Sequence, residues 1–194
     1  YTPYTAHDPP RFLFVGRLMR EKGIEELFCA VRRLWTEGFH VHLQLLGFFE
    51  EQYRQEVDRL VADGMTEFYG FQKEPLPFYQ NCDCVVLPSY HEGISNVLLE
   101  AAAVGRPIIA SDIPGCREAV EHSKTGLLCR AKDANSLYVA MRAFLALSAE
   151  QKAALGQNGR RKMEREFDKA SVVAETLRIV TAEKAAPQPR RVTA

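Results

Sequence analysis

The sequence predicts an α/β domain built on a doubly wound parallel β-sheet of about six strands with helices on both faces. Short apolar runs alternate with segments of helical periodicity along most of the chain, the pattern of strands joined by crossover helices. The length of 194 residues suits one such domain with a proper core and is short for two. Hydrophobic residues at 46% and charged residues at 26% are ordinary for a soluble globular domain, so nothing in the composition argues for a fibrous or disordered chain.

Each element follows from local pattern. Phe12–Gly16 is an apolar run closed by glycine and reads as the first strand. Ile24–Glu37 has helical spacing, with Leu27, Val31, Leu34 and Trp35 on one face. Val41–Leu46 is the second strand. Glu50–Ala62 is a polar helix whose inward stripe is Val57, Leu60 and Val61. Thr66–Gly70 is the third strand. Pro75–Asn81 is a helical turn led by proline, which fits a first turn. Cys84–Leu87 is a buried strand stopped by Pro88. Ser95–Val104 is a helix closed by Gly105 at its C-cap. Pro107–Ala110 is a strand, Arg117–Glu121 a short helix and Gly126–Cys129 the last strand. Helices follow at Ala134–Leu147, Ala149–Phe167 and Lys169–Lys184.

Residues 1–10, with three prolines, read as a linker or truncated lead-in, residues 11–184 as the domain, and residues 185–194 as a flexible tail. The chain opens with Tyr1 rather than Met and is expected to be a piece of something longer.

Lysine plus arginine number 25 and aspartate plus glutamate 25, so the net charge is zero and no broad nucleic-acid surface is expected. One small anion pocket remains compatible with it. No apolar run approaches the roughly 18–20 residues that span a bilayer, and no signal segment opens the chain. A cytoplasmic protein with at most peripheral membrane contact is expected. The five cysteines (Cys29, Cys82, Cys84, Cys116, Cys129) lack metal or redox spacing and read as reduced core residues.

Doubly wound sheets bind ligands at the carboxyl ends of their strands, near the point where strand order reverses. That directs attention to the loops after Gly16, after Gly70, and between Leu87 and Ser95. The last is the most informative. A buried strand feeds a glycine-containing loop and then a helix, and Ser95 and Asn96 are good helix-start residues. Free amides and the positive end of the helix dipole make an anion site there without any lysine. Glu92 and Glu100 are separated by seven residues, and Asn96 shares a helix face with Glu100. A phosphate at the helix start beside a diol on Glu100 is the outline of a nucleotide ribose. The plainer reading is a capped helix with a surface glutamate. In the first loop, Gly16 permits a close backbone approach. Arg17 and Lys22 add two cations suited to a diphosphate, or form a solvated basic loop paired with Glu21. There is no GxGxxG or GxxxxGK[ST].

Together, FLFVGRLMREKG (12–23), FYGF (68–71), DCVVLPSYHEGISNVLLEAAAVGRPIIASDIPGCREAV (83–120) and TGLLC (125–129) make the chain resemble the C-terminal domain of family 4 glycosyltransferases. These are retaining enzymes of the GT-B fold, whose halves are each Rossmann-like. The resemblance covers roughly residues 11 to 184, and Glu92 and Glu100 fit the family's paired-glutamate signature.

It implies that Arg17 and Lys22 hold the donor diphosphate, that Glu100 bonds the ribose hydroxyls, and that Glu92 lies near the donor sugar. Gly93, Ile94 and Ser95 would supply backbone contacts, Asn96 and Val97 the helix start, and Phe71 and Gln72 the loop at the base. No cofactor and no metal is implied, only a nucleotide-sugar donor. The wording around residues 92–118 is similar to bacterial enzymes that build surface polysaccharides, which implies a UDP-sugar and a glycan or lipid-linked acceptor. The partner is the acceptor-binding N-terminal domain of the same polypeptide, without which this half is expected to bind donor but not to complete transfer. The helix Lys169–Lys184 would cross back to that domain, with an apolar stripe at Val172, Val173, Leu177 and Val180.

A glycogen or sucrose synthase-like transferase half shares the paired glutamates and stays open as an alternative, as does a non-catalytic α/β nucleotide-binding module. Elsewhere, His40 and His42 read as structural, Phe78 and Tyr79 as core packing, His91 as a solvent-facing loop residue, and Pro114–Gly115 as a turn.

Overall fold

The structure, a computed structural model, describes residues 1–167 together with 173, 177 and 178. Strands β1 (Arg11–Val15), β2 (His42–Leu46), β3 (Thr66–Gly70), β4 (Cys84–Leu87), β5 (Ile108–Ser111) and β6 (Gly126–Cys129) form one sheet in the order β3-β2-β1-β4-β5-β6. Every neighbouring pair is parallel. This is the six-strand doubly wound α/β sheet the alternating pattern predicts. β4 and β5 are buried at every position, as strands covered on both faces must be.

The helices are α1 (Ile24–Thr36), α2 (Arg54–Ala62), α3 (Leu76–Gln80), α4 (Asn96–Val104), α5 (Pro114–Arg117), α6 (Ala134–Ala146) and α7 (Ala149–Glu166). Right-handed crossovers place α1 and α2 on one face and α4 on the other. α1 packs against α6, and α4 against α7. On the first face the Phe12 ring meets Phe144 of α6 edge-on at 5.7 Å between centroids. α1 buries Ile24, Leu27, Ala30, Val31 and Leu34, the i, i+3, i+7 stripe that its sequence carries. Asp133 starts α6 by accepting from the Ser136 amide, and Ser148 and Gln151 close a capping box on α7. Gly105 ends α4 in the left-handed region, as a C-cap glycine should.

Two elements differ from the sequence reading. α2 begins at Arg54 rather than Glu50, because residues 49 and 50 are drawn onto the β1 loop: Leu18 bridges Phe49, and the Glu50 amide donates to the Leu18 carbonyl at 3.3 Å. Its buried stripe is Val57 and Leu60, while Val61 faces water. The short helix expected at Arg117–Glu121 lies at Pro114–Arg117, with proline in its first turn. Most of Lys169–Lys184, including Val172 and Val180, lies outside the described residues. Val173, Leu177 and Arg178 are helical, and Val173 and Leu177 are exposed.

The lead-in is fastened to the domain. Asp83, 1% exposed, accepts from the Tyr4 hydroxyl at 2.9 Å and from the backbone amides of His7 at 3.0 Å and Arg11 at 2.8 Å. The His7 Nδ1 lies 2.9 Å from Asp83 Oδ2, the oxygen that also takes the Arg11 amide. The cysteines carry no disulfide; Cys82, Cys84, Cys116 and Cys129 are buried as expected, and Cys29 on α1 is exposed. Among the described residues no helix is long and apolar enough to cross a membrane.

Candidate functional site

Strand order reverses between β1 and β4. β1 leads outward to β2 and β3, and β4 leads outward to β5 and β6. At such a reversal, the loops leaving the carboxyl ends of the two strands are where a doubly wound sheet takes its ligand. The first carries Gly16, Arg17 and a single 3-10 turn, Arg20–Lys22. The second carries residues 88–95 and runs into α4.

The two loops are tied to each other. The Tyr90 amide donates to the Glu21 carbonyl at 2.8 Å, and Lys22 Nζ donates to Glu92 Oε1 at 2.6 Å. Gly23 lets them approach: its φ is +69°, and a Cβ there would lie 2.1 Å from the Pro88 carbonyl oxygen. The Lys22 and Glu92 side chains are only 21% and 12% exposed, so each charge relies on the other in place of water. From the other side, Gly115 backs the loop, its missing Cβ leaving room for the Glu92 and Gly93 carbonyls. Beneath lies Cys116, fully buried. Burial pushes its thiol up to about 12, with Glu92 adding to the rise and Lys22 opposing it, so it is no nucleophile at neutral pH.

Arg17 sits on the same β1 loop but turns toward β2. Its Nη1 donates to both carboxylate oxygens of Glu50, at 2.9 and 2.7 Å. The sequence groups Arg17 with Lys22 as a pair of cations. The structure puts them on one loop, each against its own carboxylate, and neither against Glu21.

The second loop runs directly into the amino end of α4. Ser95 is its N-cap in an extended conformation, and its side chain makes no capping bond, so the first-turn amides are not closed off by it. Asn96 and Glu100 are exposed one turn apart on α4, as the four-residue spacing predicts. Glu100 Oε2 accepts from the buried Tyr79 hydroxyl at 3.0 Å. Phe71, 71% exposed, follows β3 at the same edge of the sheet. Gln72 turns back to donate to the Tyr69 carbonyl at 2.6 Å. Ile94 is exposed, while Val97 is half-buried against the core.

Sequence reasoning missed several residues here. Glu50 holds Arg17 from 33 positions away, and Tyr79 holds Glu100 from 21. Phe48, which follows the second strand, is exposed like Phe71 and Ile94 at the strands' carboxyl ends. Among the described residues no group of three or more His, Cys, Asp or Glu side chains is placed to hold a metal ion.

A doubly wound sheet with paired charges and a helix start at its switch point defines the class: a Rossmann-like α/β domain of the kind that makes up one half of a GT-B glycosyltransferase. The chain belongs to the family described as "Glycosyl transferases group 1", whose model matches residues 9–146. Among curated relatives, the glycogen synthase of Mycobacterium tuberculosis (strain ATCC 25618 / H37Rv) is 32% identical over 94% of this chain and 45% of its own length. The capsular polysaccharide biosynthesis glycosyltransferase CapM of Staphylococcus aureus is 27% identical over 79% of this chain and 41% of its own. A solved structure of Anabaena HepE in complex with UDP superposes with a TM-score of 0.77 at 22% identity, covering 89% of this chain and 48% of that one, and shows the shared fold. The chain spans about half the length of the curated relatives it matches.

Proposed function

We propose that this chain is the donor-binding half of a retaining glycosyltransferase and takes a nucleotide-sugar, a UDP-sugar, at the β1 and β4 loops. The observation that carries the reading is the Lys22–Glu92 contact at 2.6 Å, set at the switch point directly before the amino end of α4. An ammonium has three donors, so Lys22 can hold Glu92 and a diphosphate oxygen together. Arg17 uses Nη1 on Glu50 and has further N–H groups on its fork to offer a phosphate.

The chemistry follows from where charge develops. As the bond from the anomeric carbon to the diphosphate oxygen breaks, negative charge collects on the leaving nucleotide. Lys22, Arg17 and the first-turn amides of α4, at Asn96 and Val97, oppose it with groups already in place. Gly16 leaves space beside the diphosphate. The backbone of Gly93, Ile94 and Ser95 lines the sugar, Glu92 lies beside it, and Glu100 accepts from the ribose hydroxyls. Phe71 and Gln72 border the base. No metal and no further cofactor enters this scheme.

The acceptor belongs to the other half of the protein. A polysaccharide acceptor is supported by the capsular relative, and for a lipid-linked one the cytoplasmic membrane face is where it would be met. The zero net charge supports no nucleic-acid role. The glycogen synthase relative favours a second reading, a storage-polysaccharide transferase half. A calorimetric screen of UDP-, GDP- and ADP-sugars separates the donors.

The test of the site is titration of UDP into wild type, Lys22→Ala and Glu100→Ala. Wild type should bind, Lys22→Ala should lose about tenfold or more for one charge-assisted bond, and Glu100→Ala should weaken in proportion to its ribose contact. Equal binding by all three would sink the assignment.

A further inference from the structure

We propose that Tyr79 is a positioning residue for Glu100: its buried hydroxyl fixes one carboxylate oxygen so that the other is presented to the ribose of the donor nucleotide. This rests on the ribose assignment made above and adds to it a residue on a different element. Glu100 stands on the exposed face of α4, where a glutamate would ordinarily sample many rotamers. Here Oε2 is taken by the Tyr79 hydroxyl at 3.0 Å, and Tyr79 is 1% exposed. A buried phenol must find a partner, and this one finds it in the carboxylate. Burial, and then the neighbouring Glu100 charge, raise the tyrosine well above its ordinary range, so it remains a donor at any physiological pH.

The ring is held as firmly as its hydroxyl. Tyr79 lies on α3, which has only five residues and is too short to stand alone. Its end is braced by Arg106, itself 1% exposed. Arg106 Nε donates to the Tyr79 carbonyl at 2.8 Å and Nη2 to the Gln80 carbonyl at 2.8 Å. Arg106 follows the Gly105 cap of α4, and its amide donates to the Ala101 carbonyl at 2.9 Å. The helix that carries Glu100 thus ends in the residue that anchors Tyr79, and Tyr79 returns a hydrogen bond to Glu100. The circuit closes within α3, α4 and Arg106, so the carboxylate is oriented before any ligand arrives.

The test compares UDP with 2′,3′-dideoxy-UDP in calorimetric titrations of this 194-residue chain, because the ratio of the two affinities reads the ribose contact alone. Releasing one side chain to free rotation should lower that ratio in Tyr79→Phe by about three- to tenfold while dideoxy-UDP affinity stays within about twofold. In the Glu100→Ala background, adding Tyr79→Phe should change the ratio no further, since the hydroxyl then has nothing to orient. If Glu100→Ala collapses the ratio and Tyr79→Phe leaves it at the wild-type value, Tyr79 is packing only and the proposal is overturned while the ribose assignment stands. Equal weakening of both nucleotides by Tyr79→Phe also overturns it, as a general loss of structure. If Glu100→Ala leaves the ratio untouched, the ribose assignment fails and takes this proposal with it.

Discussion

A single methyl group at position 115 should displace the β4 loop. A Cβ on Gly115 would lie 2.0 Å from the Gly93 carbonyl oxygen and 2.3 Å from that of Glu92, where ordinary contact begins at 3.4 Å. The contacting atoms are backbone, so no side chain can swing aside, and the loop must retreat by about 1 Å. Overpacking of this kind costs about 1–3 kcal/mol of stability. The loss in binding should be proportionally greater. A shift of that size carries the loop's carboxylate and amides out of hydrogen-bond range of a fixed diphosphate. Each charge-assisted bond lost is about 1.5–3 kcal/mol, or about ten- to 150-fold in affinity.

Urea denaturation measures the first quantity and UDP calorimetry the second, both on Gly115→Ala. Gly93→Ala is the companion variant, because a Cβ there meets nothing within 4 Å. Its stability should stay within about 0.5 kcal/mol of wild type. Gly115→Ala that binds UDP with wild-type affinity would refute the placement of the donor against this loop.

Two further expectations follow from the charged and buried groups. Arg17 is held by Glu50 in an exposed pair, which is worth at most about 1 kcal/mol. Glu50→Gln should therefore free Arg17 and raise UDP affinity by up to about fivefold; a fall in calorimetric affinity would contradict Arg17 as a phosphate ligand. Burial pushes the Cys82, Cys116 and Cys129 thiols from 9.0 up to about 12. Above pH 9 the unfolded chain sheds these protons and the folded one keeps them. The stability they contribute is thus complete below that point and declines as pH climbs toward their folded values. At about pH 10 the three together should remove about 4 kcal/mol, read as a lower urea midpoint under reducing conditions than at about pH 8. A midpoint that does not move would show these thiols to be solvated.

The sequence yields the elements more readily than their neighbours. The inner strands are visible as short, largely apolar runs, because a doubly wound sheet buries them on both faces and leaves little room for polar residues; the edge strand Thr66–Gly70 buries only Thr66 and shows by its aromatic residues and closing glycine. The glycine stop of α4 at Gly105 is visible because a left-handed cap is chemical and local, while Ser95 marks the start by residue type without bonding as a cap. α2 is misjudged at its start because a tertiary contact, Phe49 on Leu18, takes residues that have no local reason to leave the helix. The single turn at Pro114 is hidden because proline followed by glycine signals a turn before it signals a helix.

The candidate site divides in the same way. Arg17, Lys22, Glu92 and Glu100 are readable by type and spacing. Their partners are not, apart from Glu92 itself. Glu50 and Tyr79 reach their targets only because β1 stands between β2 and β4 and α3 packs on α4. Strand order is a property of the whole sheet, and no local pattern states it.

The most direct measurement is a crystal structure of this chain with UDP. The diphosphate should lie between Lys22 Nζ and the first-turn amides of α4, with a Glu100 oxygen on a ribose hydroxyl and the base beside Phe71. A nucleotide found at the amino ends of the strands, with Lys22 engaged by Glu92 alone, would contradict the account.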